Sequence, residues 1–205
     1  MRDAGIGRVL VAALHQGIAD ELPDRLEFYE NWLNAEGLRN GTIGLAPLAA
    51  VLGFLRTEGD AYDSVTRRAG EYAADWIVEE LPPGYRRLIS ASPAFLRRTL
   101  AMRVARNLVQ RAYSGSRATA RVRRGRGEVE IRSSIFCTVR GRSERPLCVF
   151  YAAAVARVLR LLEVEAAAAV TSCQAEGDRV CHVDVQLGPA PEQLQPDTAA
   201  EGALQ

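Results

Sequence analysis

Four cysteines offer the most specific chemistry in this chain of 205 residues. Cys137 and Cys148 precede an alanine- and leucine-rich stretch, and Cys173 and Cys181 follow it. The residues Glu176-Gly177-Asp178 lie between the last two cysteines, and because Asp and Gly favour tight turns, a hairpin there would bring both sulfurs close together. Converging thiolates are typical of a closed tetrahedral zinc site.

The spacing leaves two interpretations of these cysteines open. Pro146 is expected to open a helix with Cys148 in its first turn, where exposed N–H groups stabilise a thiolate and favour a metal site. Alternatively, each cysteine is a small buried hydrophobe, as free Cys often is. Cys181 shares one face of a strand with Val183 and Val185, and no CxxC pair is present.

The elements that must position these cysteines follow from hydrophobic periodicity. Two strands, near 118–123 and 128–131, are predicted to join through a hairpin turn at 124–127, and the 173–181 hairpin adds two more. Pro82-Pro83-Gly84 is interpreted as a stop between helices, and Arg39-Asn40-Gly41 as a turn. The predicted helices are 6–22, one starting at Pro23, 45–55, 61–81, one from Ser92 to about Tyr113, and one after Cys148. The expected fold class is α/β (α+β), a helical N-terminal half packed on a small antiparallel sheet.

Two details of these helices carry structural predictions. Gly70 lies in the middle of the 61–81 helix, where Gly costs about 1 kcal/mol relative to Ala, so we expect close packing against another backbone there. In the helix that begins at Ser92, Phe95 and Leu96 are predicted to face inward.

The chain resembles a known family in two runs, Pro146-Leu147-Cys148 and the segment 171–183, with the helix between them. Together they are similar to the C-terminal signature of the 4-vinyl reductase (4VR) domain family. That family is related to TRAPP-complex subunits and includes BchJ-type proteins and the phenol-sensing domains of bacterial activators. The resemblance implies a TRAPP-like/4VR fold with a pocket for a hydrophobic or aromatic small molecule and, in the sensors, a structural zinc.

The resemblance also implies which residues bind zinc. Three ligands of the family map onto Cys148, Cys173 and Cys181, but the position of its fourth ligand, a Glu, is occupied by Val170. We expect Cys137 to be the replacement, which would give a four-cysteine site. His182 is a poorer candidate, because its side chain points to the opposite face of the strand from that of Cys181.

Aromatic residues near these segments are the candidates for contacting the ligand, and each could equally be an ordinary core residue. Two are four residues apart in the 61–81 helix, and three flank Cys137 and Cys148. They are Tyr72, Trp76, Phe136, Phe150 and Tyr151.

Composition excludes several classes of protein. The net charge is +1, no stretch reaches the roughly 18 apolar residues of a membrane span, and no signal peptide is evident, so we expect a cytoplasmic protein without a transmembrane segment. Arginines are concentrated in 101–150 but spread over several elements, so nucleic acid is not the expected partner. No catalytic set is evident around His15 or His182, and whether the chain is an enzyme stays open, with binding favoured over catalysis.

These observations predict one domain, with an N-terminal helical segment (1–60) packed on a 4VR-like ligand-binding domain (61–187) and a disordered tail (188–205). The predicted function is binding of a small hydrophobic, aromatic or tetrapyrrole molecule, as a carrier or sensor, with a cysteine-rich structural zinc site in a homodimer. One alternative is an accessory protein or enzyme of (bacterio)chlorophyll/tetrapyrrole biosynthesis of the BchJ type. The other is a TRAPP-like dimeric scaffold without ligand.

Overall fold

The computed structural model describes residues 6–33, 44–138 and 141–188. Within these ranges the chain forms seven α-helices, most of them where apolar residues recur at helical spacing. They are α1 (Arg8–Glu21), α2 (Leu26–Leu33), α3 (Leu45–Thr57), α4 (Ala61–Glu79), α5 (Pro83–Ala91), α6 (Ala94–Ala112) and α7 (Val149–Leu161). Short 3-10 turns at Pro23–Arg25, Ile135–Cys137 and Gln174–Glu176 connect some of these elements.

Four antiparallel strands form one sheet in the order β1-β2-β4-β3. The strands are β1 (Arg117–Arg123), β2 (Arg126–Arg132), β3 (Ala166–Ser172) and β4 (Cys181–Leu187). The β1–β2 turn is made by Arg124 and Gly125, both at positive φ. The predicted hairpins are thus confirmed, and β4 enters the sheet between β2 and β3.

The helices cover one face of the sheet in successive layers. α6 packs on β1 and β2, and α7 packs on β3 and β4. α4 packs on α7, and α1 packs on α4. Alternate residues of the strands point toward these helices and are buried, for example Val129 and Ile131 of β2 and Val183 of β4. The result is a mixed α+β domain with its core between sheet and helices.

Two glycines allow the helix layers to approach closely. A Cβ atom on Gly70 of α4 would lie 2.4 Å from the carbonyl oxygen of Phe150 in α7. A Cβ atom on Gly17 of α1 would lie 2.7 Å from the carbonyl oxygen of Val65 in α4. The prediction of close backbone packing at Gly70 is therefore confirmed.

Some details differ from the sequence predictions. The segment after Pro82 forms the helix α5 and is more than a stop. Phe95 is 72% exposed and Leu96 is 39% exposed, because the buried positions of α6 begin only at Ala101 and its first turn projects beyond them. The turn predicted at 39–41 and the tail predicted beyond Gly188 lie outside the described residues.

No helix in the described ranges has both the length and the apolar character that crossing a membrane requires.

Candidate metal centre

The four cysteine sulfurs lie together at one place in the fold. All of the Sγ atoms are within 4.8 Å of one another. The Sγ atom of Cys137 is 3.4 Å from that of Cys148, 3.5 Å from that of Cys173 and 3.6 Å from that of Cys181. Cys148 is 3.3 Å from Cys181 and 3.7 Å from Cys173. The structure thus brings Cys137 to the three cysteines that the hairpin and helix position.

Each cysteine comes from a different local structure. Cys137 ends the 3-10 turn that follows β2, Cys148 immediately precedes α7, Cys173 follows β3 and Cys181 begins β4. The prediction that Pro146 opens the helix is wrong, because α7 begins at Val149. Cys148 instead uses its carbonyl oxygen to accept the N–H of Tyr151 at 3.0 Å, so it is fixed at the N-terminal end of the helix.

The loop between β3 and β4 holds Cys173 by hydrogen bonds at both of its backbone groups. The carboxylate of Asp178 accepts the N–H of Cys173 at 2.8 Å, and the carbonyl of Cys173 accepts the N–H of Glu176 at 3.0 Å. Gly177 has φ 109°, a conformation that favours glycine. The Glu-Gly-Asp sequence therefore forms the turn for which its residue types suit it.

Backbone and hydroxyl groups surround the sulfurs. The N–H of Leu147 donates to the Sγ atom of Cys173 at 3.4 Å, and the N–H of Gln174 donates to the Sγ atom of Cys181 at 3.3 Å. The Ser134 hydroxyl is 3.4 Å from the Sγ atom of Cys148. Such contacts orient metal ligands and stabilise negative charge on sulfur.

The four thiols do not lose protons equally. Hydrogen bonds from Cys137, Cys148 and Cys181 hold the pKa of Cys173 well below its usual range, and a hydrogen bond with Cys148 lowers the pKa of Cys137. Hydrogen bonding with Cys137, together with burial, raises the pKa of both Cys148 and Cys181. Negative charge in this cluster is therefore limited by repulsion between thiolates, a limit that a bound divalent cation removes.

The donor set fits a zinc ion. Thiolates at a zinc–sulfur distance of about 2.3 Å lie about 3.8 Å apart around a tetrahedron, and the closest sulfur pairs here are 3.3 to 3.7 Å apart. Three of the four cysteines are buried, as in a closed structural site. Val170, at the family's Glu position, lies half-buried in β3 opposite Val183, so this residue gives the cluster no oxygen ligand.

The five candidate ligand-contacting aromatic residues fall into two groups. Phe136 stacks on Phe150 with ring centroids 5.1 Å apart, and both rings meet Tyr151 edge-on at 5.3 and 5.5 Å. These three side chains are fully buried and adjoin the cysteines in sequence. Tyr72 and Trp76 stack on each other at 5.8 Å and are only half-buried.

The second group belongs to the contact between α1 and α4. The Tyr72 hydroxyl donates to Asp20 at 2.6 Å, and the guanidinium of Arg68 lies 4.6 Å from the Tyr72 ring centroid. An open cleft of about 480 Å³ beside these residues is lined by charged and polar side chains. This group therefore forms a polar surface contact, unlike the apolar wall that the sequence predicts.

One buried polar atom in the first group stands out. The hydroxyl of Tyr151 is buried and has no hydrogen-bond partner. Burial raises the pKa of Tyr151, and the hydroxyls of Ser134 and Ser116 partly offset this effect. A buried hydroxyl without a partner costs about 1–3 kcal/mol, so this position suits a polar atom from another molecule.

Neither histidine faces the interior. His15 forms an ion pair with Glu30 at 2.9 Å, and His182 forms one with Glu128 at 2.8 Å on the outer face of the sheet. These contacts confirm that His182 points away from the face that carries Cys181.

Sequence reasoning missed two residues that support the cluster. Tyr62 of α4 is buried and donates its hydroxyl to the carbonyl of Leu147 at 2.8 Å, which fixes the loop before Cys148. The side-chain oxygen of Gln174 accepts the N–H of Ser134 at 3.2 Å. Gln174 could have been suspected as the neighbour of Cys173, whereas nothing in the spacing of Tyr62 points to the site.

Comparisons with known proteins agree with this architecture. The model of the 4-vinyl reductase (4VR) domain matches residues 128–187. The structure is similar to trafficking protein particle complex subunit 3 from Naegleria fowleri, solved covalently bound to palmitic acid, with 13% identity and a TM-score of 0.50 over 69% of this chain and 93% of that chain. An H-NOX protein variant from K. algicida has 11% identity and a TM-score of 0.55 over 90% of this chain and 97% of that one.

A further similar structure is the phenol-responsive sensory domain of the activator PoxR with phenol, with 16% identity and a TM-score of 0.46 over 70% of this chain and 74% of that chain. No curated protein matches the sequence significantly. The likeness to the TRAPP subunit and the H-NOX protein shows the fold. Because the matched segment holds all four clustered cysteines, this chain carries a 4VR domain over residues 128–187, in a TRAPP-like α+β fold.

Proposed function

We propose that this chain is a small-molecule-binding domain, acting as a sensor or carrier, in which a structural zinc ion bound by four cysteines holds the wall of the ligand site. The carrying observation is the convergence of all four Sγ atoms within 4.8 Å in a 4VR domain. The zinc ligands would be Cys137, Cys148, Cys173 and Cys181. Zinc in such a site supplies folding free energy and no catalytic step, since all four positions are filled by protein.

The metal would join three segments that the chain itself connects only loosely. Cys137 lies after β2, Cys148 at the start of α7, and the other two cysteines flank the loop between β3 and β4. Binding them to one ion fixes the loop against the end of α7. Phe136 and Phe150 lie next to these ligands, so the same bonds would also fix the buried aromatic group.

The zinc assignment is tested by measuring zinc per chain by elemental analysis on protein purified without a metal-affinity tag. We expect one zinc in the parent and loss of zinc in Cys137→Ser. Because Val170 occupies the family's Glu position, Val170→Glu in the Cys137→Ser background should restore binding. Zinc retained in Cys137→Ser would place the fourth ligand elsewhere, and no zinc in the parent would make the cysteines packing residues.

The ligand is proposed to be a hydrophobic or aromatic molecule that carries one polar group. Phe136, Phe150 and Tyr151 offer apolar surface, and the unpartnered hydroxyl of Tyr151 offers one hydrogen bond. The raised pKa of Tyr151 keeps this hydroxyl protonated at neutral pH, so it donates to an acceptor oxygen. Because the three rings contact one another, binding among them requires at least one pair to separate.

Thermal unfolding with added phenol, toluene or palmitate tests this proposal. Phenol should raise the midpoint more than toluene in the parent, and Tyr151→Phe should abolish that difference while leaving the zinc content unchanged. Palmitate is included because a protein of this fold has been solved bound to palmitic acid. If none of the three probes changes the midpoint, the TRAPP-like scaffold without ligand becomes the better function.

A tetrapyrrole remains within the proposed ligand class, as does the BchJ-type role in tetrapyrrole biosynthesis. A haem iron held by a proximal histidine does not fit this chain, because both histidines are in surface ion pairs. A tetrapyrrole would therefore be bound without an iron–histidine bond. Absorbance of co-purifying pigment distinguishes this role, and a homodimer is proposed as the functional unit in either case.

A further inference from the structure

The two edges of the sheet differ in charge. Along β1, the exposed positions include Arg117, Arg121 and Arg123. Along the other edge, β3 reads Ala-Ala-Ala-Ala-Val-Thr-Ser and carries no charged residue and no proline. Proteins protect exposed edges from pairing with charges, prolines or short strands, and the β1 edge has such protection while the seven-residue β3 edge has none.

The side chains of β3 are also incompletely covered on the helix side of the sheet. Ala166, Ala168 and Val170 face α7 but are only half-buried, whereas Val183 and Val185 of the neighbouring β4 are at most 1% exposed. The opposite face of β3 carries the exposed residues Ala167, Ala169 and Thr171. A strand added beside β3 would cover the remaining apolar surface and pair its outward backbone groups.

We propose that this edge is the homodimer interface, with β3 pairing antiparallel to β3 of a second copy so that two sheets form one of eight strands. The self-pairing suits this strand because its side chains are small and uncharged, so no like charges meet across a two-fold axis. The alternatives are less suitable. A β1–β1 contact would oppose arginines, and a β1–β3 contact would be heterologous and open-ended.

This inference gives a surface to the homodimer of the proposed function, but it depends on neither zinc nor ligand. The cysteine cluster lies at the β4 side of the loop that ends β3, and its Sγ atoms face the interior, with three of the four cysteines buried. Zinc content and oligomeric state can therefore be measured as separate properties, and failure of one leaves the other intact.

The first experiment measures the molar mass of the parent by sedimentation equilibrium over a range of concentrations and repeats it for two lysine variants. Ala169→Lys places a charge at the middle of β3, and Thr119→Lys places the same charge at an exposed position of β1 as the matched control. We expect a dimer in the parent, weakening of the dimer by about tenfold or more in Ala169→Lys, and no change in Thr119→Lys. Zinc content reports whether each variant has folded.

A second measurement does not depend on any variant. Hydrogen exchange of the parent should show the amides of 166–172 becoming more protected as concentration rises, while those of 117–123 stay unchanged. A monomer at all concentrations would overturn the inference, as would a dimer unaffected by Ala169→Lys. Protection of β3 that is independent of concentration would show that another part of the same chain covers this edge and would likewise overturn it.

Discussion

Single residues decide how the cysteine cluster is held. Cys173 is fixed by the carboxylate of Asp178, its sulfur accepts the N–H of Leu147, and the carbonyl of Leu147 accepts the hydroxyl of Tyr62. These hydrogen bonds run from α4 through the loop before α7 to the β3–β4 loop. The cluster is therefore preorganised by neutral and acidic groups that do not themselves bind the metal.

Asp178→Ala removes the acceptor of the Cys173 N–H, whereas Asp178→Asn keeps an oxygen at the same place. We expect the alanine variant to lose about 1 kcal/mol of stability and to release zinc to a colorimetric chelator faster than the parent. The asparagine variant should behave like the parent. Equal release rates in all three proteins would show that this hydrogen bond does not hold the site.

A second residue-scale prediction concerns acid stability. Hydrogen bonds from Tyr72 and then Arg68 lower the pKa of Asp20. Because the folded pKa lies below the unfolded value, the stabilisation is fully present above about pH 4 and is lost as the pH falls through the folded pKa. The carboxylate is largely solvated, so the effect is small, about 1 kcal/mol or less.

Asp20→Asn should therefore reduce the decline in unfolding free energy between about pH 4 and pH 2, measured by urea unfolding. At neutral pH the variant should be slightly less stable than the parent. The matched control is Asp184→Asn, at an exposed position on the sheet. An acid limb of unchanged slope in Asp20→Asn would show that the contact between α1 and α4 contributes nothing to acid unfolding.

At the scale of elements, the contact between α4 and α7 determines where the site can form. α7 starts at the cysteine cluster, and α4 supplies Tyr62 to the loop before it. The helices approach at Gly70, where a Cβ atom would meet the backbone of α7 at 2.4 Å. An exposed helical glycine is normally improved by alanine, so this position should reverse the usual sign.

Gly70→Ala should destabilise the protein by about 2 kcal/mol, because α4 and α7 would have to move apart. The control is Gly84→Ala in α5, where a Cβ atom would have no neighbour within 4 Å. This control should be neutral or slightly stabilising. The free energy of unfolding from urea titration checks both variants, and a stabilising Gly70→Ala would contradict the close packing.

At the scale of the whole molecule, the proposed zinc ion connects the sheet to the helices at one end of the domain. The contact between α1 and α4 has its own buried residues, such as Leu10, Leu14 and Val65, and includes none of the four cysteines. Loss of metal should therefore affect the two parts of the fold differently.

Removal of zinc with a chelator should lower the free energy of unfolding by about 3 kcal/mol or more. Hydrogen exchange should accelerate in 133–148 and 173–181, while the amides of α1 and α4 stay protected. The reference is the same chelator treatment of the metal-free Cys137→Ser variant. An equal loss of protection in α1 and α4 would indicate that the whole domain depends on the metal.

The sequence alone determined the fold class, the strand hairpins, most helices and the identity of the four cysteines. These follow from local signals, since apolar periodicity specifies helices and strands and the Glu-Gly-Asp turn specifies its hairpin. The family resemblance then led to the cysteine ligand set, and the comparisons bear out the 4VR domain.

Only the tertiary structure decided which of these residues meet. Cys137 reaches the cluster because β2 is placed beside β4 and the 3-10 turn after β2 directs the cysteine inward. Tyr72 and Trp76 are separated from the buried aromatic group because α4 turns their face toward α1. Phe95 is exposed although it fits the helical pattern. Periodicity fixes the face of a helix, but burial depends on which elements cover that face, and those contacts join residues that are distant in sequence.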